Sequence, residues 1–240
     1  MSAFSSDAAV ALLLAGHALA DFVFQSRAMV SRKEREPRWL LFHGLEVLLV
    51  QALVFLPGFP CARGLLAAGA VGLAHLAIDC AKINAQRVFG RRLLWFGLDQ
   101  ALHVVSIVFV AHWFERSGCA PAGWVARFGT APVWTIAFYA FNVHGGSAIV
   151  SGVLQRLRPS SQPGDAPGAG QIIGVLERMV MLTLVMLGQW SALGFVLTAK
   201  SVARFKELED KAFAETYLVG TLTSFLVAGA SGLLLRALTE

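Results

Sequence analysis

Residues 16–25 read GHALADFVFQ and place a histidine, a carboxylate and an amide inside an otherwise apolar segment. His17, Asp21 and Gln25 recur at a spacing of four, so a helix would project all three from nearly one face. Two further segments contain a histidine and an aspartate one helical turn apart: His75 with Asp79, and Asp99 with His103. Because ionisable side chains are costly within a membrane, these pairs indicate a functional site in the surrounding apolar helices.

The composition predicts a membrane protein. Only 15% of the 240 residues are charged and 56% are hydrophobic, and the mean hydropathy is +0.64. Soluble domains carry about a quarter charged residues, so the long apolar runs predict an all-α polytopic membrane helical bundle of about seven transmembrane helices. The net charge of +5 arises from basic residues in short loops between these runs, as in many membrane proteins. We therefore expect no nucleic-acid binding.

The apolar runs predict seven spans at 8–25, 39–56, 63–88, 93–114, 132–154, 172–199 and 214–235. The predicted domains are helices one to five with the His/Asp cluster (1–156), a flexible linker rich in proline, glycine and serine (157–170), and helices six and seven with a basic juxtamembrane segment (171–240). Helix six is longer than the roughly 20 residues that a bilayer requires. A break near Gly188 and Gln189 is therefore the alternative to one continuous crossing.

The loop charges predict the orientation of the chain. The basic run at 32–38, RKEREPR, follows the first span and is expected in the cytoplasm, which places the N-terminus outside. Residues 1–7 carry no basic side chain, and we expect no cleaved signal peptide. The cysteines form no Cys-x-x-Cys motif, so a zinc ribbon is not expected. Cys61 and Cys119 fall in predicted outer loops, and whether they form a disulfide remains open from the sequence.

This orientation brings polar residues from four spans to one depth, because helices one and three end at the cytoplasmic side and helices two and four begin there. The histidines and aspartates at this depth are the predicted ligands of a divalent metal ion: His17, Asp21, His43, His75, Asp79, Asp99 and His103. Zinc is the expected metal, and manganese or iron is compatible with the same ligand types.

A metal ion with an open coordination position can activate water, so the cluster predicts a hydrolase for a lipid or amphipathic substrate near the cytoplasmic face. The predicted catalytic residues are three aspartates and a lysine: Asp21, Asp79, Asp99 and Lys82. Lys82 would hold negative charge that develops during the reaction. Gln25 and Gln100 would orient the ligands or contact the substrate.

Two other functions remain open. The same cluster suits an ion- or proton-coupled transporter or channel that uses it as a relay. A non-catalytic membrane partner or sensor would instead use the basic C-terminal segment. In that segment Lys200 and Arg204 either bind the phosphate of a membrane lipid or anchor the helix at the interface. The neighbouring pair Glu177 and Arg178 either lines a cavity or marks the same interface.

Three ordered blocks carry a resemblance to a known family: GHALADF (16–22), HLAIDCAK (75–82) and LDQALH (98–103). They resemble the bacterial membrane family called domain of unknown function 3307. The later blocks IGVLER (173–178), AKSVARF (199–205) and AETYLVGTL (214–222) resemble the C-terminal extension of its longer members. The resemblance implies a multi-pass protein of the bacterial inner membrane and no activity. A looser similarity to membrane-bound metal-dependent hydrolases supports hydrolysis by analogy.

Overall fold

The computed structural model describes residues 2–90, 92–157 and 169–240, and all regular structure in these residues is helical. In chain order the α-helices are α1 (Ser2–Leu19), α2 (Arg27–Lys33), α3 (Pro37–Phe55), α4 (Ala62–Phe89), α5 (Arg92–Glu115), α6 (Gly123–Phe128), α7 (Ala131–Leu157), α8 (Ala169–Met186), α9 (Trp190–Ala203) and α10 (Lys211–Thr239). A π-helical turn (Ala20–Phe24) follows α1, and a 3₁₀ turn (Glu207–Glu209) precedes α10. Most of the predicted linker lies outside the described residues.

Six helices in the described residues are long and apolar enough to cross a membrane. Their apolar segments are Asp7–Phe24, Pro37–Phe55, Ala62–Phe89, Arg92–Glu115, Ala131–Arg156 and Lys211–Thr239. Large apolar side chains point outward from them, for example Leu53 and Phe109, which are 73% and 74% exposed. Helices suit a bilayer because they satisfy their own backbone hydrogen bonds. The predicted all-α membrane bundle is confirmed.

The chain forms two compact units, which divide within α7 between Ala140 and Phe141. In the first unit α1 packs against α3 and α5, and α4 packs against the same two helices. One end of this bundle carries a disulfide between Cys61 and Cys119, which the sequence left open. We call it the disulfide end. The opposite end, where α2 lies and α4 turns into α5 at Gly90, is the basic end.

Close helix contacts in the first unit depend on glycines. An ideal Cβ on Gly16 of α1 would lie 2.4 Å from Gln51 Oε1 of α3. A Cβ on Gly72 of α4 would lie 2.3 Å from a methyl carbon of Leu48, also on α3. Since non-bonded atoms pack at about 3.5–4 Å, a larger residue at either position would force the contacting side chain of α3, or the helix itself, to move.

The second unit contains the end of α7 together with α8, α9 and α10, and α8 packs against both α9 and α10. The sixth helix predicted over 172–199 is not continuous, because the chain turns at Gly188 between α8 and α9. Gly188 has a φ of +67°, a left-handed conformation that glycine adopts without a side-chain clash. The structure thus has the break that the sequence offered as the alternative, and α9 with 14 residues is shorter than a membrane span.

Candidate metal centre

Four histidines from the four main helices of the first unit meet in its core. They come one from each helix, and each is at most 3% exposed: His17 (α1), His43 (α3), His75 (α4) and His103 (α5). The His75 ring lies 4.1 Å from that of His103 and 5.3 Å from that of His43, measured between centroids. His17 stacks on His103 at 4.7 Å. The four spans therefore bring their polar residues to one place, as the loop charges and helix directions predict.

Asp21 lies at the centre of this group on the π-helical turn. Its Oδ1 is 3.2 Å from His43 Nε2 and 3.3 Å from His75 Nε2. Turns of this type are rare and are frequent at functional sites. The spacing of four predicts a regular α-helix through Gln25, so it puts Asp21 on the correct face but does not predict the π-helical turn that carries it.

Three of the histidines have one ring nitrogen fixed by an oxygen that can only accept a hydrogen bond. His103 Nδ1 donates to the backbone oxygen of Asp99 at 2.7 Å, and His17 Nε2 donates to Gln100 Oε1 at 3.2 Å. His43 Nδ1 donates to Glu46 Oε2 at 3.2 Å. A neutral imidazole that donates from one nitrogen carries a lone pair on the other. This arrangement is the one found in histidines that bind metals.

The opposite nitrogens of two of these rings lack partners. His17 Nδ1 and His103 Nε2 are buried and make no hydrogen bond to any residue that the structure describes. Buried polar atoms are normally satisfied, so each exception needs an explanation. Two overlapping groups have ligand atoms within 4.8 Å of one another, namely His17 with Asp21, His75 and His103, and His43 with His75 and Asp79. Histidine and carboxylate are suitable ligands for zinc, manganese or iron.

Two lysines neutralise the other two carboxylates of the cluster. Lys33 Nζ lies 2.6 Å from Asp79 Oδ2, and Lys82 Nζ lies 2.8 Å from Asp99 Oδ2. Lys82 also approaches Asp79 Oδ1 at 3.4 Å. Asp99, a predicted ligand, therefore pairs with a lysine and belongs to neither of the two possible metal groups.

The sequence does not single out Lys33 as a site residue. It lies in the basic run expected in the cytoplasm, whereas in the structure it ends α2 and is only 5% exposed. A signal for this helix was present, because Ser26 is a good N-cap residue and its hydroxyl accepts a hydrogen bond from Met29 N at 3.2 Å. Nothing in the sequence indicated that α2 would fold back far enough to bury its last lysine.

The two predicted supporting glutamines contact the histidines. Gln25 Nε2 donates to His43 Nε2 at 2.7 Å. Gln100 accepts from His17 and donates to Asp99 Oδ2 at 3.1 Å. Each amide thus contacts one imidazole and limits the rotation of its ring.

The remaining predicted site residues belong to the second unit. Lys200 forms an ion pair with Glu177, and Arg204 Nη1 lies 2.7 Å from Glu207 Oε2. Arg178 is 2% exposed and donates to the backbone oxygens of Asn142 and Val143 and to Ser147 Oγ. The sequence did not predict these pairings, because Glu177 and Lys200 lie on different helices.

Most of the first unit matches the model of a known protein family. Residues 9–126 match the family described as Protein of unknown function (DUF3307). Over these residues the chain is similar to the DUF3307 family, and we call this segment the DUF3307 region. No curated protein and no solved structure matches the chain. The DUF3307 region includes all four clustered histidines and the blocks at 16–22, 75–82 and 98–103, so the resemblance that these three blocks carry is confirmed. The blocks at 173–178, 199–205 and 214–222 lie outside the match. Any activity has to be argued from the site itself.

Proposed function

We propose that the DUF3307 region binds a divalent metal ion, most favourably zinc, through His17, Asp21, His75 and His103. The observation that supports this is the pair of buried, unpartnered nitrogens on His17 and His103. Each belongs to a ring whose other nitrogen is held by an acceptor, so its lone pair is directed away from that acceptor. A bound cation would satisfy both nitrogens at once.

The charges of the cluster support the same proposal. Three aspartates with side chains at most 7% exposed, Asp21, Asp79 and Asp99, face two lysines, so with neutral imidazoles these five groups carry one unbalanced negative charge. Asp21 is the unbalanced one, since no lysine or arginine in the described residues forms an ion pair with it. An isolated buried charge is strongly unfavourable, and a metal ion beside Asp21 would offset it.

We further propose that the protein is a hydrolase for a lipid or amphipathic substrate. When bound, the metal ion would activate water. Lys82, whose side chain is 17% exposed, would contact negative charge on the substrate. Asp79 lies between Lys33 and His75, where its carboxylate can receive a proton. Its ion pair with Lys33 is shielded from water, because the two side chains are 4% and 1% exposed.

A relay for protons or ions is the second candidate, because the imidazoles of His17, His103, His75 and His43 form a continuous row. Transport also needs polar access from the opposite face. The core of the disulfide end consists of aromatic rings, with Phe55, Phe59 and Phe114 at most 1% exposed. The histidines and lysines of the cluster all lie toward the basic end, and this uneven distribution of ionisable residues favours a hydrolase.

We place the basic end in the cytoplasm and the N-terminus outside, in a bacterial inner membrane. The basic residues of α2 support this orientation. The Cys61–Cys119 disulfide is an independent argument, because disulfides persist in oxidising compartments such as the periplasm.

Metal analysis of detergent-purified protein tests the proposal. We expect about one metal ion per chain in the wild type and a loss of bound metal in His17→Ala and His103→Ala. His112→Ala is the matched control, because His112 also lies on α5 but its side chain is 64% exposed and it is more than two helical turns from His103. Metal well below one per chain in the wild type, or equal loss in the control, would refute the metal site.

The hydrolase is tested separately, with phospholipid vesicles that contain the metal-loaded protein. We expect release of a hydrolysis product that stops on chelation and in Lys82→Met. If metal binds but no product forms, while vesicles acidify in a way that depends on His75, the relay function replaces the hydrolase.

A further inference from the structure

The second unit contains a partly open cavity of about 560 Å³. It lies between the end of α7, the first half of α8, the end of α9 and the beginning of α10. Small-molecule sites in proteins commonly have volumes of about 300–1,000 Å³ and combine apolar walls with a few polar groups. This cavity has that composition and is separate in sequence from the DUF3307 region.

Its charged wall is positive. Arg178, Lys200 and Arg204 line the cavity together with one acid, Glu177. Lys200 lies over the ring of Tyr217, with Nζ 5.3 Å from the centroid, and the Arg204 guanidinium lies 5.9 Å from that of Phe213. These ring contacts and the ion pair with Glu177 hold the cations at the cavity wall. An anionic group would therefore enter a preformed positive site.

Two further polar groups on the same wall lack, among the described residues, either a charged partner or a hydrogen-bond partner. The buried guanidinium of Arg178 binds two backbone oxygens and a hydroxyl, and no carboxylate in the described part of the chain forms an ion pair with it. Thr221 Oγ1 also lines the cavity and is buried without a hydrogen-bond partner among the described residues. A ligand that carries both hydrogen-bond acceptors and negative charge would satisfy these groups.

The position of the cavity along the helices indicates what kind of anion. Its lining comes from the end of the apolar segment Ala131–Arg156 and the beginning of the apolar segment Lys211–Thr239. The ends of membrane spans lie at the depth of lipid headgroups. Val150, Leu154 and Ile173 supply apolar lining beside the cations.

We propose that this cavity binds one anionic phospholipid, with the headgroup phosphate beside Lys200 and Arg204 and an acyl chain against Val150, Leu154 and Ile173. The apolar wall distinguishes this ligand from free phosphate. The positive wall distinguishes it from a zwitterionic lipid.

The test uses full-length protein in a neutral detergent, titrated with dioleoyl phosphatidylglycerol, dioleoyl phosphatidylcholine or inorganic phosphate. Native mass spectrometry counts bound lipid, and thermal unfolding gives the apparent affinity. The variants are Arg204→Met and Lys200→Met. Lys206→Met is the control, because Lys206 is exposed and does not line the cavity. This substitution changes the net charge by the same amount as the two cavity variants.

We expect one tightly bound phosphatidylglycerol and weaker binding of phosphatidylcholine. Each cavity variant should weaken the affinity for phosphatidylglycerol by about fivefold, and the control variant should leave this affinity unchanged. Arg204→Met leaves only the exposed Glu207 unpaired, so this variant decides the test if Lys200→Met fails to fold. Equal binding of the two lipids, equal weakening in the control, or displacement by millimolar inorganic phosphate would overturn the proposal.

Discussion

The two ends of the first unit are built from the same four helices but have opposite cores. At the disulfide end, Phe55, Phe59 and Phe114 contact one another with ring centroids 5.0–5.2 Å apart. Toward the basic end, the equivalent core positions hold imidazoles, carboxylates and lysines. The disulfide end shows that these helices can pack through apolar rings alone.

This contrast indicates why the cluster is present. Replacing buried ion pairs by apolar residues is often neutral or stabilises a protein by roughly 1–4 kcal/mol. A bundle selected only for stability would then resemble its disulfide end throughout. We infer that the His/Asp cluster serves chemistry, and the following predictions test whether the two ends separate stability from function.

The largest expected effect is at the disulfide end. Phe114→Ala should lower the free energy of unfolding by about 4 kcal/mol, because it removes a fully buried ring from the aromatic core. Protein that folds should retain the wild-type metal content, since Phe114 lies about three helical turns from His103 on α5. Denaturant unfolding and elemental analysis measure the two quantities. Loss of metal at unchanged stability would erase the distinction between the ends.

Breaking the ion pair at the basic end should cost nearly as much. Lys33→Met leaves Asp79 without its 2.6 Å partner and should destabilise the protein by about 3 kcal/mol. The double variant Lys33→Met/Asp79→Leu should recover most of this loss, because it also removes the buried carboxylate that loses its lysine partner at 2.6 Å. A double-mutant cycle measures the coupling. A double variant no more stable than Lys33→Met would show that the pair is not the source of the effect.

Gly16→Ala tests the spacing between α1 and α3 beside the cluster. The added methyl group would meet Gln51 at 2.4 Å, so we expect about 2 kcal/mol of destabilisation and weaker metal binding through displacement of His17. Gly69→Ala is the control, because nothing lies within 4 Å of its Cβ position on α4. Both variants are compared by unfolding and metal titration. Unchanged metal affinity in Gly16→Ala would mean that the site tolerates movement of α1.

The smallest expected effect concerns Gln100, which fixes the His17 ring. Gln100→Leu should weaken metal binding by about tenfold with little change in stability, as for other residues that orient metal ligands. Gln86→Leu, a half-buried glutamine on α4, should bind metal as the wild type does. If the two variants have equal metal affinities, the His17–Gln100 contact does not orient a ligand.

The sequence predicts the cluster because two simple regularities combine. A spacing of four puts His75 and Asp79 on one helix face, and alternating helix directions bring such faces to one depth. The sequence does not predict contacts that depend on how short segments fold back. Lys33 reaches Asp79 only because α2 turns toward the bundle, and a local pattern carries no information on that distance.

The remaining differences have local causes. Gly188 lies inside the apolar run 172–199, but a glycine in such a run is compatible with a continuous helix as well as with a break. The pairing of Cys61 with Cys119 depends on a Cα separation of 6.7 Å between loops 58 residues apart in sequence. The Glu177–Lys200 pair depends in the same way on how α9 folds against α8 once the chain turns at Gly188.

The π-helical turn at Ala20–Phe24 has a consequence beyond Asp21 itself. Residues in an α-helix advance by about 100° around the axis, so a turn with one extra residue shifts the angular phase of the residues that follow directly in the same helix. Removing a single residue there would turn Gln25 away from His43 Nε2, which its amide contacts at 2.7 Å. The position of Asp21 and the orientation of the His43 ring thus depend on the same short turn.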